Sequence, residues 1–152
     1  PNVVTPKATI RMTVRGSTVD DLEGIILPAI KAAAQEIAAS YGAQVEMHHY
    51  EPLFKDMRQD KKLLDLFKDV MTEFGEIPRI LPDDEADGST DVGNVSYEVP
   101  TAQPTLQIGL GLEPHTPEFT CAAGSDYGLA QAIKGAKIMV VVALRYALLR
   151  DA

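Results

Sequence analysis

Lys7-Ala8-Thr9-Ile10-Arg11-Met12-Thr13-Val14 is the stretch on which the fold class turns. Ala8, Ile10, Met12 and Val14 alternate with the polar Lys7, Thr9, Arg11 and Thr13. That period of two predicts a half-buried strand. Upstream, Asn2 to Val4 reads as a short strand ended by Pro6. Downstream, Ser17 and Thr18 are N-cap candidates, with Asp20 and Asp21 where the helix dipole favours acids. Val19, Leu22, Ile25, Ile26, Ile30, Ala33 and Ile37 then recur at helical spacing. Pro28 should kink or break that helix, and Gly42 should stop it. Residues 43–50 return to alternation through Val45 and Met47. A strand–helix–strand unit is expected over residues 1–52, bounded by Pro52.

Residues 53–152 read as a second, more buried α/β unit. Leu63, Leu64, Phe67, Val70, Met71 and Phe74 share one side of a helix from about Asp60 to Phe74, stopped by Gly75. Ile77 to Leu81 is a candidate short strand, and residues 82–88 are a loop by composition. A short helix or turn follows around Asp91 to Tyr97. Thr105 to Leu110 shows little polar alternation, as a strand buried on both faces would. Residues 111–124 read as loop, and Ser125 caps a last apolar helix reaching about Arg150. The fold class expected is α/β.

The net charge of −8 argues against nucleic-acid or anionic-membrane partners, which need basic patches. The longest apolar run, Ile138 to Leu149, is interrupted by Arg145 and is too short for a bilayer, so a buried core helix is expected. The first residues lack a basic start followed by an apolar run, so no secretory leader is expected. The single cysteine, Cys121, excludes an internal disulfide and is compatible with a reducing compartment. A cytoplasmic location is the expectation.

Four features could carry chemistry. Between Asp87 and Ser96, small and polar residues crowd with two glycines, which can bring backbone N–H groups and hydroxyls to a ligand. A capped turn entering a helix explains the same residues. His115 lies in a loop stiffened by Pro114 and Pro117, placed like a metal ligand or a base, or like an ordinary surface histidine. His48 and His49 are adjacent, so on a strand they face opposite sides and cannot easily share an ion. Arg15, at a strand end before Gly16, could grip a carboxylate with two parallel hydrogen bonds or be solvated. The acidic run Asp83, Asp84, Glu85 and Asp87 could bind a hard cation, but reads first as a solvated loop.

In order along the chain, several segments resemble one family. Asn2-Val3-Val4-Thr5-Pro6-Lys7-Ala8 and Thr13-Val14-Arg15 resemble the second half of the lid, or dimerisation, domain of zinc-dependent amidohydrolases of the aminoacylase/glutamate-carboxypeptidase class. Gly88 to Ser96, followed by Val99-Pro100, resembles that family's active-site loop. His115-Thr116-Pro117-Glu118-Phe119, with Ala122-Ala123-Gly124-Ser125 after it, resembles its last metal-ligand motif. The nearest members by these motifs are similar to p-aminobenzoyl-glutamate hydrolases and aminoacylase-like dipeptidases. Thr5 departs from the pattern, since relatives often carry the proline directly after the valines.

The resemblance implies a partial lid unit over 1–52 and the C-terminal part of a zinc-peptidase-type catalytic domain over 53–152. It implies that His115 binds one of two zinc ions, that Gly88, Ser89, Thr90 and Asp91 line the substrate pocket, and that Arg15 faces the substrate carboxylate. The substrate would be a small amide, an N-acyl amino acid or a small peptide. Complete members are longer, and their histidine–x–aspartate motif, paired glutamates and remaining zinc ligands have no match here. The resemblance therefore assigns no catalytic residue to this chain, and the isolated chain is expected to be inactive. A non-catalytic dimerisation or interaction module derived from the same family is the alternative. In either case a homodimer or strand-exchanged oligomer is expected, because apolar faces would otherwise be exposed.

Overall fold

The computed structural model describes residues 2–81 and 88–150. They form helices joined by irregular segments, with no β-strand among the described residues. The chain divides into two compact units, Pro1–Asp56 and Met57–Ala152.

The first unit is built on one helical run. It begins as α1 (Val19–Asp21), widens into a π-helical turn (Leu22–Ile26) and continues as α2 (Leu27–Ser40). Thr18 is the N-cap, its hydroxyl accepting from the Asp21 N–H at 3.1 Å. The Val19 N–H donates to the Asp56 carboxylate at 2.8 Å, so the end of the unit is tied back to the start of its helix. Pro28 does not end this helical run. It occupies the first turn of α2, directly after the π turn. Proline lacks the N–H that would reach back four residues and its ring crowds that carbonyl; a widened turn upstream removes the conflict. At the other end, Gly42 takes φ 65° and the Ala43 N–H returns to the Ala38 carbonyl at 2.9 Å, the closure that a left-handed glycine permits.

The second unit contains α3 (Lys61–Glu73), α4 (Val92–Ser96), α5 (Pro117–Ala123) and α6 (Asp126–Arg150). Asp60 caps α3 by accepting from the Leu63 N–H at 2.8 Å, and Gly75, at φ 81°, closes it. The core lies between α3 and α6: Val70 and Met71 meet Ile138 and Val142, with Leu63, Leu66, Phe67, Phe74, Leu106 and Val141 packed around them. Two polar links brace this pair of helices. Arg145 donates to both Glu73 oxygens, at 2.6 and 2.8 Å. Glu76 accepts from Lys134 and from the side chain of Gln131, which is 2% exposed and also donates to the Gln107 carbonyl at 3.0 Å.

The α/β expectation is corrected by this structure. Neither Lys7–Val14 nor residues 43–50 carries a strand ladder, so the first unit is a helix with irregular flanks rather than strand–helix–strand. Residues 77–81 and Thr105–Leu110 likewise carry no ladder, so the second unit is helical rather than the edge of an α/β sheet. The physical reason is that alternation specifies a face, whereas a strand also needs a neighbouring backbone to accept and donate its hydrogen bonds. In the first unit the apolar face that alternation specifies is largely uncovered, with Ile10 80% exposed and Met12 53% exposed. A second correction concerns residues 111–124, expected to be loop. They contain α5, whose start is set by Thr116 accepting from the Phe119 N–H at 3.2 Å and by Pro117 in the first turn.

The Lys134 and Gln131 donors hold the Glu76 carboxyl below its ordinary value of 4.5. A carboxylate whose pKa is lowered by folding stabilises the fold above its unfolded pKa and loses that contribution as pH falls through the folded value. The urea midpoint of the second unit is therefore expected to drop as pH is taken below 4.5, and to drop less in Glu76→Gln. Superimposable pH profiles for the two proteins would show that Glu76 is not part of the acid response.

Candidate functional site

The loop entering α4 is held by its own hydroxyls. Gly88 adopts φ 81° and starts the described part of the segment. Thr90 accepts from the Val92 N–H at 3.3 Å, and its carbonyl accepts from the Gly93 N–H at 3.2 Å. Gly93 is buried, and Ser96 donates to its carbonyl at 2.6 Å. Ser96 Oγ also accepts from the Arg58 N–H at 2.9 Å. Ser89 and Asp91 are exposed, and Asp91 makes no side-chain cap bond to α4. The small residues thus build a tight, self-bonded turn that leaves the Ser89 hydroxyl and the Asp91 carboxylate facing solvent. The acidic run Asp83, Asp84, Glu85 and Asp87 lies outside the described residues.

His115 is exposed and sits at φ 65°, the only non-glycine with positive φ among the described residues. Thr116 beside it donates to the Glu113 carbonyl at 2.7 Å while capping α5, so the turn is fixed from both sides. A left-handed histidine costs about 1 kcal/mol relative to a relaxed one. His115→Gly is accordingly expected to leave thermal stability unchanged or raise it by up to ~1 kcal/mol while removing the imidazole; a clear loss of stability would mean the side chain contributes packing.

Arg15 is exposed and makes no ion pair among the described residues of its unit. The neighbouring Gly16 packs closely, since a Cβ there would meet Ile26 Cδ1 at 3.1 Å and Leu22 Cβ at 3.3 Å. His48 lies 3.6 Å from the Glu46 carboxylate, with both side chains in solvent.

The side-chain bonds of the His115 turn stay local, from Thr116 to the Glu113 carbonyl and from the Phe119 N–H to Thr116. No group of three or more His, Cys, Asp or Glu side chains that could hold a metal gathers among the described residues. His115 alone does not make a zinc site, because catalytic zinc takes three protein ligands as a rule. A half-open apolar cavity of about 450 Å³ is lined by Phe67, Met71, Leu106, Gln131, Ile138 and Met139, among others, and by none of the six expected site residues. One residue the sequence did not single out stands beside the loop: the Arg58 guanidinium lies 3.6 Å from the centre of the Tyr97 ring. The two are far apart in sequence, and neither belongs to a recognisable pattern. No helix among the described residues is long and apolar enough to cross a membrane.

Compared with known proteins, the chain is similar to peptidases. It is 26% identical over 147 residues to a Xaa-Arg dipeptidase of Mus musculus, which takes in 95% of this chain and 34% of that protein. It is 42% identical over 57 residues to a Xaa-Arg dipeptidase of Homo sapiens, 38% of this chain and 13% of that protein. The chain thus spans about a third of the length of the mouse relative. No protein-family model matches it, and no solved structure matches it.

Proposed function

We propose that these residues are the C-terminal part of a peptidase-type hydrolase that cleaves the amide bond of a dipeptide or an N-acyl amino acid. The observation that carries this reading is the similarity to a dipeptidase along 95% of the chain. The dipeptide class named for both relatives, Xaa-Arg, is the first substrate to try. In this reading His115 is the chain's one zinc ligand in the complete two-zinc enzyme, and Ser89, Thr90 and Asp91, after Gly88, line the substrate pocket. Arg15 faces the substrate carboxylate. Amide hydrolysis needs a positioned base and an activated water. The described residues assemble neither, so no catalytic step is assigned within this chain and the 152 residues alone are expected to be inactive. The test is hydrolysis of alanyl-arginine by the surrounding reading frame, expressed at dipeptidase length. His115→Ala should lower kcat/KM at least ~100-fold and lower bound zinc, as loss of a ligand does. Full activity in that variant would remove His115 from the metal site.

A second reading, a dimerising or interaction module of the same ancestry, is favoured by the exposed apolar surface. Val140, Leu144 and Leu148 on α6 are all more than half exposed. Uncovered surface of that kind drives association. The purified chain is expected to sediment as a dimer or larger at micromolar concentration, and Leu144→Glu with Leu148→Glu should shift it to monomer. A monomeric wild type under those conditions would remove the module reading.

A further inference from the structure

A guanidinium usually directs its edge at carboxylates, as Arg145 does in this unit with its two bonds to Glu73. Arg58 does otherwise. It is exposed, its plane lies over Tyr97 at 3.6 Å, and none of its guanidinium N–H groups donates to another described residue. The chain has 22 acidic residues against 14 basic ones, yet among the described residues the side chain of Arg58 meets an aromatic ring and no carboxylate.

The backbone around Arg58 is fixed on two sides. The Arg58 N–H donates to Ser96, which in turn donates to the Gly93 carbonyl. Next to it, Gln59 accepts from the Gln103 N–H at 3.3 Å and the Asp60 N–H donates to the Thr101 carbonyl at 2.7 Å. Stacking on the ring restrains the side chain and leaves the in-plane N–H fork uncommitted among the described residues. A fork held this way has already lost much of the freedom that binding would otherwise cost.

We propose that Arg58, stacked on Tyr97 and tied to Ser96, is a carboxylate-binding residue of the Gly88–Ser96 loop. Its ligand is the carboxylate of a peptide or amino acid, gripped by the guanidinium edge. The identity of that ligand rests on the peptidase reading; the binding of a carboxylate does not.

The test is a titration of the ¹⁵N-labelled chain with N-acetylglycine and with its neutral amide at constant ionic strength, following the Arg58 Nε–H and the Ser96 N–H. Saturable shifts are expected with the acid and not with the amide. Arg58→Lys keeps the charge but loses the fork and the stacking, and should weaken the apparent affinity about tenfold. Tyr97→Leu should weaken it about threefold. Equal shifts with the amide or with chloride, or an unchanged affinity in Arg58→Lys, would overturn the proposal. Saturable binding without hydrolysis by the longer chain would keep this site and remove the peptidase reading. Hydrolysis without a carboxylate response at Arg58 would do the reverse.

Discussion

Ile138→Ala is expected to destabilise the second unit by about 3 kcal/mol, the middle of the range for truncating a buried isoleucine. Ile138 is 3% exposed and belongs to a core whose buried members are few, namely Val70, Met71, Ile138 and Val142. Removing three carbons there leaves a void that α3 and α6 cannot close without shifting the Arg145–Glu73 and Lys134–Glu76 links that brace them. A loss of that size is a large share of the stability of a domain this small. Leu144→Ala, on the same helix but 63% exposed, should change stability by no more than ~0.5 kcal/mol. Urea unfolding followed by far-ultraviolet circular dichroism measures both. Equal effects would mean that the α3–α6 seam is not the core.

Gly128→Ala is expected to destabilise by about 1–2 kcal/mol, against the ordinary preference of helices for alanine. Gly128 stands in the first turn of α6, where the Ser125 hydroxyl accepts its N–H at 3.1 Å. A Cβ at this position would lie 2.8 Å from the Ala123 carbonyl oxygen and 3.1 Å from its carbon, and would press on the Ala122 carbonyl as well. These are backbone atoms at the end of α5, so the clash cannot be relieved by turning a side chain. The whole α5–α6 junction must open, and α5 is the helix that His115 and Thr116 lead into. Gly124→Ala is the control, since its Cβ would meet nothing closer than 3.8 Å. If Gly128→Ala proved as stable as the wild type, the junction would be looser than this packing requires.

Much of the helical structure was legible in the sequence because its signals are local. Asp60 and Gly75 bracket α3, Ser125 opens α6, and Gly42 closes α2, each through bonds to backbone within a few residues. The apolar stripe of α3 also pointed to Val70 and Met71 as core. What failed was everything that depended on a distant partner. Lys7–Val14 and Thr105–Leu110 have the pattern of strands, but a pattern cannot supply the neighbouring backbone. The π turn before Pro28 was not foreseen either, because periodicity shows that a proline conflicts with a helix and not how the helix yields. At the candidate site, the small-residue loop and the His115 turn were visible as motifs. The left-handed conformation of His115 and the stacking of Arg58 on Tyr97 were not, since both arise from how the segments close on each other.

The most direct test of the peptidase reading is complementation. Where the reading frame continues upstream of Pro1, the 152-residue chain is mixed with that separately purified part, and release of arginine from alanyl-arginine is measured with zinc present. We predict no turnover by the 152-residue chain alone, turnover that rises to a plateau near equimolar mixing, and loss of that turnover with His115→Ala. Hydrolysis by the chain alone, or turnover in the mixture that is indifferent to His115→Ala, would contradict the account.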